Sequence, residues 1–149
     1  MDDGYGEAVL LDNSAWARVG LGRLRTADRE RWEAAVRGDE IVVSPPFALE
    51  ALYSARGAED FRELAEELGG FRRVGANGRT WRLAAEAQAA LAANPAVSHR
   101  VKPIDLLLAA IADENDAGVL HYDHDYDTIR DHSPLDFPSI WIAARGSIS

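Results

Sequence analysis

The sequence predicts an α/β domain whose mostly parallel sheet is covered by helices on both faces. Two observations carry this. Short apolar runs recur at residues 8–12, 40–44, 119–122 and 139–143. Between them lie stretches with helical spacing, and strands that alternate with helices imply parallel crossovers. A third observation concerns acids. Asp12 ends the run Ala8-Val9-Leu10-Leu11, and Asp123 closes Val119-Leu120-His121-Tyr122. Asp105 opens the apolar stretch 106–111, and Glu50 lies inside the mostly apolar stretch 47–53. In open α/β sheets, ligands bind in the crevice outside the carboxyl ends of the strands.

The elements follow in order. Residues 8–12 read as a buried strand, and Asn13 or Ser14 caps a turn or helix that starts there. A helix over 26–37 has Thr26 as its cap and Trp32, Ala35 and Val36 as its apolar stripe, and Gly38-Asp39 ends it. Residues 40–44 form a β-branched strand. Ser44-Pro45-Pro46 then places proline in the first turn of a helix continuing over 47–55. Residues 59–68 are amphipathic, with Phe61, Leu64, Ala65 and Leu68 on one face, and Gly69-Gly70 stops them. A short strand over 71–74 leads to an Ala-rich helix over 79–93, ended by Asn94-Pro95. Residues 97–102 are a loop. A helix over 103–116 begins with proline and has Gly118 just past its end. Residues 119–122 form a strand, 126–131 a short helix and 139–143 the last strand. The tail after Arg145 is expected to be loose. No repeat or linker interrupts the chain, so one domain spans 1–149 with its core at about 8–143.

A chain of 149 residues can bury a sizeable core. Its 47% apolar and 28% charged content is that of a soluble globular protein. The longest apolar stretch, 106–112, falls far short of a membrane span. The acidic start Met1-Asp2-Asp3-Gly4 resembles neither a secretion signal nor a transit peptide. The absence of cysteine excludes a disulfide framework and thiolate zinc sites, and it fits a cytoplasmic protein. The net charge of −9 argues against broad nonspecific nucleic-acid binding. Its distribution argues differently. Residues 71–102 hold Arg72, Arg73, Arg79, Arg82, Arg100 and Lys102 against Glu86 alone, a local net of +5. Arginine grips phosphate bidentately. A basic band beside an acidic metal pocket suits a metal-dependent nuclease, whereas each arginine taken singly is equally well an ordinary solvated side chain.

The densest acidic cluster is Asp123-His124-Asp125-Tyr126-Asp127. An EF-hand loop would need Gly at its sixth position and Glu at its twelfth, where this chain has Thr128 and Pro134. A DxDx[TV] phosphatase would need Thr or Val four residues after its first Asp, and here Asp127 follows Asp123. What remains is a strand-end loop that presents Asp123, with Asp125, to a metal. Helix capping explains Asp125 or Asp127 equally well. Asp105 is also explained by the helix dipole alone. Glu50 and Asp12 are harder to explain structurally, because a buried unpaired carboxylate is costly. Several carboxylates facing one crevice repel each other and need a cation, and oxygen-only ligands suit Mg²⁺ or Mn²⁺.

The order Leu-Leu-Asp12-Asn-Ser14-Ala-Trp16, Glu50-Ala-Leu-Tyr53, Ile-Asp105-Leu-Leu-Leu and Val-Leu-His-Tyr-Asp123-His-Asp125-Tyr126 resembles the PIN domain. More narrowly, it resembles the VapC toxins of bacterial toxin–antitoxin pairs. The resemblance covers about residues 9–142. It implies a three-layer α/β/α sandwich and Mg²⁺- or Mn²⁺-dependent cleavage of RNA. Asp12, Glu50, Asp105 and Asp123 match the acidic quartet of the family, as catalytic residues and metal ligands. Ser14 matches its small hydroxyl residue, and Asp125 an acid that is common there but less uniform. Tyr126 stands where the family often has Phe. A cation held by these acids would polarise a scissile phosphate and activate water for in-line attack.

The resemblance further implies a cytoplasmic homodimer inhibited by a VapB-like antitoxin. The stripe Phe61, Leu64 and Leu68, with Trp16 and Trp32, is a candidate seat for a helix of that partner, although core packing explains Leu64 and Leu68 better than Phe61. Trp16, Trp81, Phe71 and Tyr53 are candidate stackers for unpaired bases. Two other functions compete: a housekeeping PIN nuclease that processes RNA or DNA without an antitoxin, and a metal-stabilised interaction module without turnover. A complete quartet disfavours the second.

Overall fold

A computed structural model describes residues 3–97 and 100–149. Met1 and Asp2 of the acidic N-terminus, and Ser98 and His99 of the loop at 97–102, lie outside the described residues. The chain runs β1 (Val9–Leu11), α1 (Asn13–Gly20), α2 (Thr26–Arg37), β2 (Ile41–Val43), α3 (Pro45–Tyr53) and α4 (Ala58–Leu68). It continues with β3 (Arg72–Arg73), α5 (Gly78–Ala93), α6 (Pro103–Glu114), β4 (Gly118–His121), α7 (Asp125–His132) and β5 (Ser139–Trp141).

The strands form one sheet in the order β3-β2-β1-β4-β5, and every pairing is parallel. Parallel strands require crossovers, and right-handed crossovers fix the faces. The path from β1 to β2 to β3 moves one way along the sheet, which places α1 to α4 on one face. The path from β3 back across to β4 and on to β5 moves the other way, which places α5 to α7 on the opposite face. Contacts agree: α5, α6 and α7 pack on one another, as α1 does on α3 and α3 on α4. β1 and β4 are neighbours from which the chain departs in opposite directions, so the crevice opens above their carboxyl ends. Val9, Leu10 and Leu11 of β1 and Val119 and Leu120 of β4 are fully buried, as expected for strands covered on both faces.

Local chemistry differs from the sequence expectation at several helix ends. The cap of α1 is Asp12, whose side chain accepts from the Ser14 amide, while Asn13 is already helical. Thr26 likewise lies inside α2, which begins without a side-chain cap. Asn77 caps α5 through a capping box with Thr80. The left-handed residues after α2 and α6 are Asp39 and Asp116, at φ 56° and 50°, rather than the nearby glycines. Asp tolerates that conformation better than most residues.

Gly118 serves another purpose. A Cβ there would meet Ile140 Cδ1 at 2.9 Å and the Pro138 carbonyl oxygen at 3.2 Å, so glycine lets β5 close onto β4.

Trp16, Trp32, Phe47 and Phe71 form an aromatic cluster under α1, α2 and α3, with centroids 6.2 to 6.4 Å apart. Trp16, Trp32 and Phe71 therefore pack into the core, Trp32 buried and the other two half-buried against it. Val36, expected in the buried stripe of α2, is exposed. The tail is tied down rather than loose. The Tyr122 hydroxyl donates to the Ile148 carbonyl at 2.9 Å, and Arg25 donates to the Ser147 carbonyl at 2.9 Å.

Gly118→Ala is expected to force β5 outward and cost about 1–3 kcal/mol, the usual penalty of overpacking. A chemical denaturation curve measures it, and an unchanged midpoint would mean that the sheet edge yields freely.

Candidate active site

Each acid reaches the crevice for a local reason. Asp12 directly follows β1 and caps α1, so it is fixed at a strand end and a helix start together. Its Oδ2 accepts from the Ser14 amide at 2.9 Å and from the Ser14 hydroxyl at 2.5 Å. Ser14 Oγ in turn accepts from the Tyr122 amide at 2.8 Å, which ties the β1 end to the β4 end. Asp105 sits in the first turn of α6, a helix buried from Asp105 to Ala112. Asp123 follows β4, and its Oδ1 accepts from the Asp125 amide at 2.9 Å, which turns the chain into α7.

Three acids approach most closely. Oxygens of Asp105, Asp123 and Asp125 lie within 4.8 Å of one another. Asp125, which the sequence left open between capping and ligation, stands inside this group. Asp12 joins it through Tyr126. The Tyr126 hydroxyl lies 2.6 Å from Asp12 Oδ1 and 3.2 Å from Asp105 Oδ1. Glu50 is half-buried on α3 and stands outside the group of three, but its charge is felt at Lys102. The face of α3 beside it does not pack inward as expected: Leu49 is 72% exposed.

Lys102 Nζ lies 4.0 Å from both Asp105 Oδ2 and Asp123 Oδ2. Asp105 raises the lysine pKa most, with Asp123, Glu50 and Asp12 adding to it against a burial effect that lowers it. The lysine is therefore firmly cationic and occupies the edge of a cation position. Burial first, and then the Asp12 charge, push the Asp105 carboxyl up to about 7 against the opposing pull of Lys102. Burial also drives the Tyr126 phenol well above its ordinary range, aided by Asp12 and Asp105, so it remains a donor. Asp105 Oδ2 is buried without a hydrogen-bond partner. Such an atom is costly unless something positive meets it. With three carboxylate oxygens converging on the same point, the donor set fits a hard divalent cation of the Mg²⁺ or Mn²⁺ type.

Sequence reasoning missed the support behind Asp123. His121 is fully buried, and its Nδ1 accepts from the Asp123 amide at 3.1 Å. That leaves the proton on Nε2, 2.7 Å from Ser139 Oγ, which donates to Asp127 Oδ1 at 2.6 Å. The Trp141 indole donates to Asp127 Oδ2 at 3.0 Å. Burial lowers the His121 pKa to about 4, outweighing the pull of Asp127 and Asp123, so the ring is neutral. Burial alone would raise Asp127, but the bonds from Ser139 and Trp141 hold it below its ordinary range. Asp127 is thus structural: it anchors β5 to the loop that carries Asp123. The only sequence signal was an apolar strand ending in a polar His.

This arrangement of acids at the carboxyl ends of β1 and β4 coincides with a known sequence pattern. The PIN domain matches residues 9–131, most of the chain. The chain belongs to the PIN-domain family. Among relatives of this PIN domain, ribonuclease VapC18 of Mycobacterium tuberculosis is 36% identical over 139 residues, covering 93% of this chain and 97% of the relative. Ribonuclease VapC51 of the same organism is 33% identical over 140 residues, covering 93% and 96%. In a DNA-bound VapBC complex from Salmonella typhimurium, one chain shares the fold at a TM-score of 0.69 and 13% identity, covering 92% of this chain and 99% of that one.

The raised Asp105 carboxyl sets a pH dependence for the metal-free protein. Its folded pKa of about 7 exceeds the ordinary carboxyl value of 3.8, so the folded state binds the extra proton between these limits. That stabilisation is fully present below the lower limit and is lost as pH rises through about 7. Calorimetry in EDTA should show the wild-type melting temperature falling across this window. Asp105→Asn should flatten the fall and melt higher at pH 8, by about 2–4 °C per kcal/mol recovered. An identical slope in both proteins would remove Asp105 as its source.

Proposed function

We propose that this PIN domain is a divalent-cation-dependent endoribonuclease and the toxin of a toxin–antitoxin pair. The observation that carries the nuclease reading is the buried, unpartnered Asp105 Oδ2 facing Asp123 and Asp125 beside a lysine. Two relatives named VapC ribonucleases, aligned over nearly the full chain, favour a toxin over a housekeeping nuclease.

In this reading Asp12, Asp105 and Asp123, with Asp125, hold Mg²⁺ or Mn²⁺ directly or through water. The ion supplies charge at the scissile phosphate and an acidified water for in-line attack. Ser14 keeps the Asp12 carboxylate in one orientation, and His121 does the same for the backbone of Asp123. Glu50, at the rim, orients the water or completes the ligand set. Lys102 is largely exposed and flexible, so it can leave the carboxylates and meet a phosphate oxygen. The basic band divides in the fold. Arg72 is engaged by Asp39, through a 3.9 Å ion pair and a bond to its carbonyl. Arg79 and Arg82 open α5, whose first turn bonds Glu114 at the far end of α6 through Thr80, whereas Arg100 is exposed just before α6 and is the better placed of the three to meet an RNA strand bound at Asp105.

Asp12→Asn and Asp105→Asn should each reduce Mg²⁺-dependent RNA cleavage to the level seen in EDTA, with the circular dichroism of the folded protein retained. Full cleavage by both folded variants would sink the site.

The partner reading is an antitoxin whose C-terminal segment covers the pocket, and solved structures with this fold include VapBC complexes. A cationic side chain inserted among Asp105, Asp123 and Asp125 would take the place of the metal's charge. Of the expected stripe on α4, Leu68 is core and Leu64 half-buried. The exposed apolar positions are Phe61 together with Leu49 and Tyr53 of the adjoining α3. They are the better seat for an amphipathic segment. The homodimer reading falls on the opposite layer, where Trp81, Ala84, Ala85 and Gln88 of α5 flank Pro103 and Ile104 of α6 in an apolar groove of about 350 Å³. No helix among the described residues is long and apolar enough to cross a membrane, and we place the protein in the cytoplasm.

Co-expression with the adjacent small reading frame should yield a complex that no longer cleaves RNA, and the free toxin should sediment as a dimer. A neighbour that neither binds nor inhibits would move the assignment to the housekeeping nuclease.

A further inference from the structure

We propose that the Tyr126 hydroxyl is a positioning group of the metal centre: it ties Asp12 to Asp105 and aims the free oxygen of Asp105 at the cation. The inference rests on the metal-dependent reading above. It starts from an unusual placement. Tyr126 has no exposed surface, and a buried phenol needs a partner. Its partners are two carboxylates of the same site, at 2.6 Å for Asp12 Oδ1 and 3.2 Å for Asp105 Oδ1. One O–H therefore bridges two like charges that would otherwise face each other.

The remaining oxygens show what the bridge achieves. Asp12 Oδ2 is taken by both donors of Ser14, so that carboxylate is fixed at both ends. Asp105 has no such second anchor. Its Oδ2 has no hydrogen-bond partner and lies 4.0 Å from Lys102 Nζ. The carboxylate torsion of Asp is intrinsically broad. With Oδ1 held by the phenol, Oδ2 can only face Lys102 and Asp123. Without the hydroxyl, Asp105 is free to rotate and Asp12 loses one of its bonds. The ring itself is held independently, since it stacks on His121 at 4.9 Å and 31°. The hydroxyl can thus be removed while the packing stays.

The test compares wild type, Tyr126→Phe and Ile129→Val by calorimetric titration with Mn²⁺ and by melting with and without the ion. Ile129, buried on the same helix α7, controls for packing loss. Tyr126→Phe is expected to bind Mn²⁺ about tenfold or more weakly, the usual cost of removing a group that orients a ligand. Its Mn²⁺-induced gain in melting temperature should shrink. Ile129→Val should melt lower yet bind Mn²⁺ as wild type does. A Tyr126→Phe protein that melts lower but binds Mn²⁺ normally would reduce the hydroxyl to a structural role and overturn the proposal. Failure of wild type itself to bind Mn²⁺ would overturn the metal reading and this inference with it.

Should Tyr126→Phe not fold, tyrosine labelled with ¹³C at Cζ gives the answer in wild type during titration with Mg²⁺. The Tyr126 resonance, identified by elimination with Tyr5→Phe, Tyr53→Phe and Tyr122→Phe, should move and saturate with the ion. A resonance that stays fixed through saturation would also overturn the proposal.

Discussion

Carboxylates repel one another, and this protein gathers several of them where water is scarce. Everything around the crevice answers that repulsion. Asp12 and Asp105 are almost fully buried, and among the described residues the cation that approaches them is Lys102, 4.0 Å from Asp105 Oδ2. The fold contains the strain with single protons and a distant cation: Ser14 on one side of Asp12, Tyr126 between Asp12 and Asp105, and Lys102 at 4.0 Å from the open edge. Such an arrangement sacrifices stability in the free protein for a strong preference for incoming positive charge. On the proposed reading, an ion and a cationic side chain of a partner would compete for one place.

The parallel sheet makes this gathering possible. Because all five strands point the same way, their carboxyl ends share one edge, and the reversal between β1 and β4 leaves an opening there. The acids come from β1, α6 and the β4 end, segments distant in sequence that cannot respond to each other locally. Rigidity has to come from behind them. The chain from Asp123 through His121 and Ser139 to Asp127 supplies it on one side, and the buried helix α6 on the other.

Much of this was legible in the residues. The acid after Leu10-Leu11 and the acid after His121-Tyr122 marked strand ends, because a charge closing an apolar run has few other places to be. A mostly parallel sheet followed from the alternation of runs, the pairings proved parallel throughout, and the order of the acids matched the PIN domain. What stayed hidden was pairwise. Nothing in the sequence distinguished Asp125, inside the cluster, from Glu50, at its rim, since both sit on helices whose rotation only packing decides. Asp127 read like its neighbours until Ser139 and Trp141 claimed it across the sheet edge. The amphipathic pattern of α4 left Leu68 open between core and partner seat, because a stripe shows which face is apolar and not what covers it, and packing made it core.

The tryptophans have been sorted by the fold in a way that bears on how the molecule can be watched. Trp16 and Trp32 lie within the aromatic cluster, and Trp141 is held by Asp127 and meets His121 and Tyr122 edge-on. Trp81 alone stands largely in solvent, at 62% exposure on α5. Emission from this chain therefore has a red, quencher-sensitive component that reports one face and a shielded remainder that reports the interior. Covering of the α5 layer and rearrangement around the Asp123 loop would leave separate spectral signatures, so the protein carries its own optical label for each layer of the sandwich.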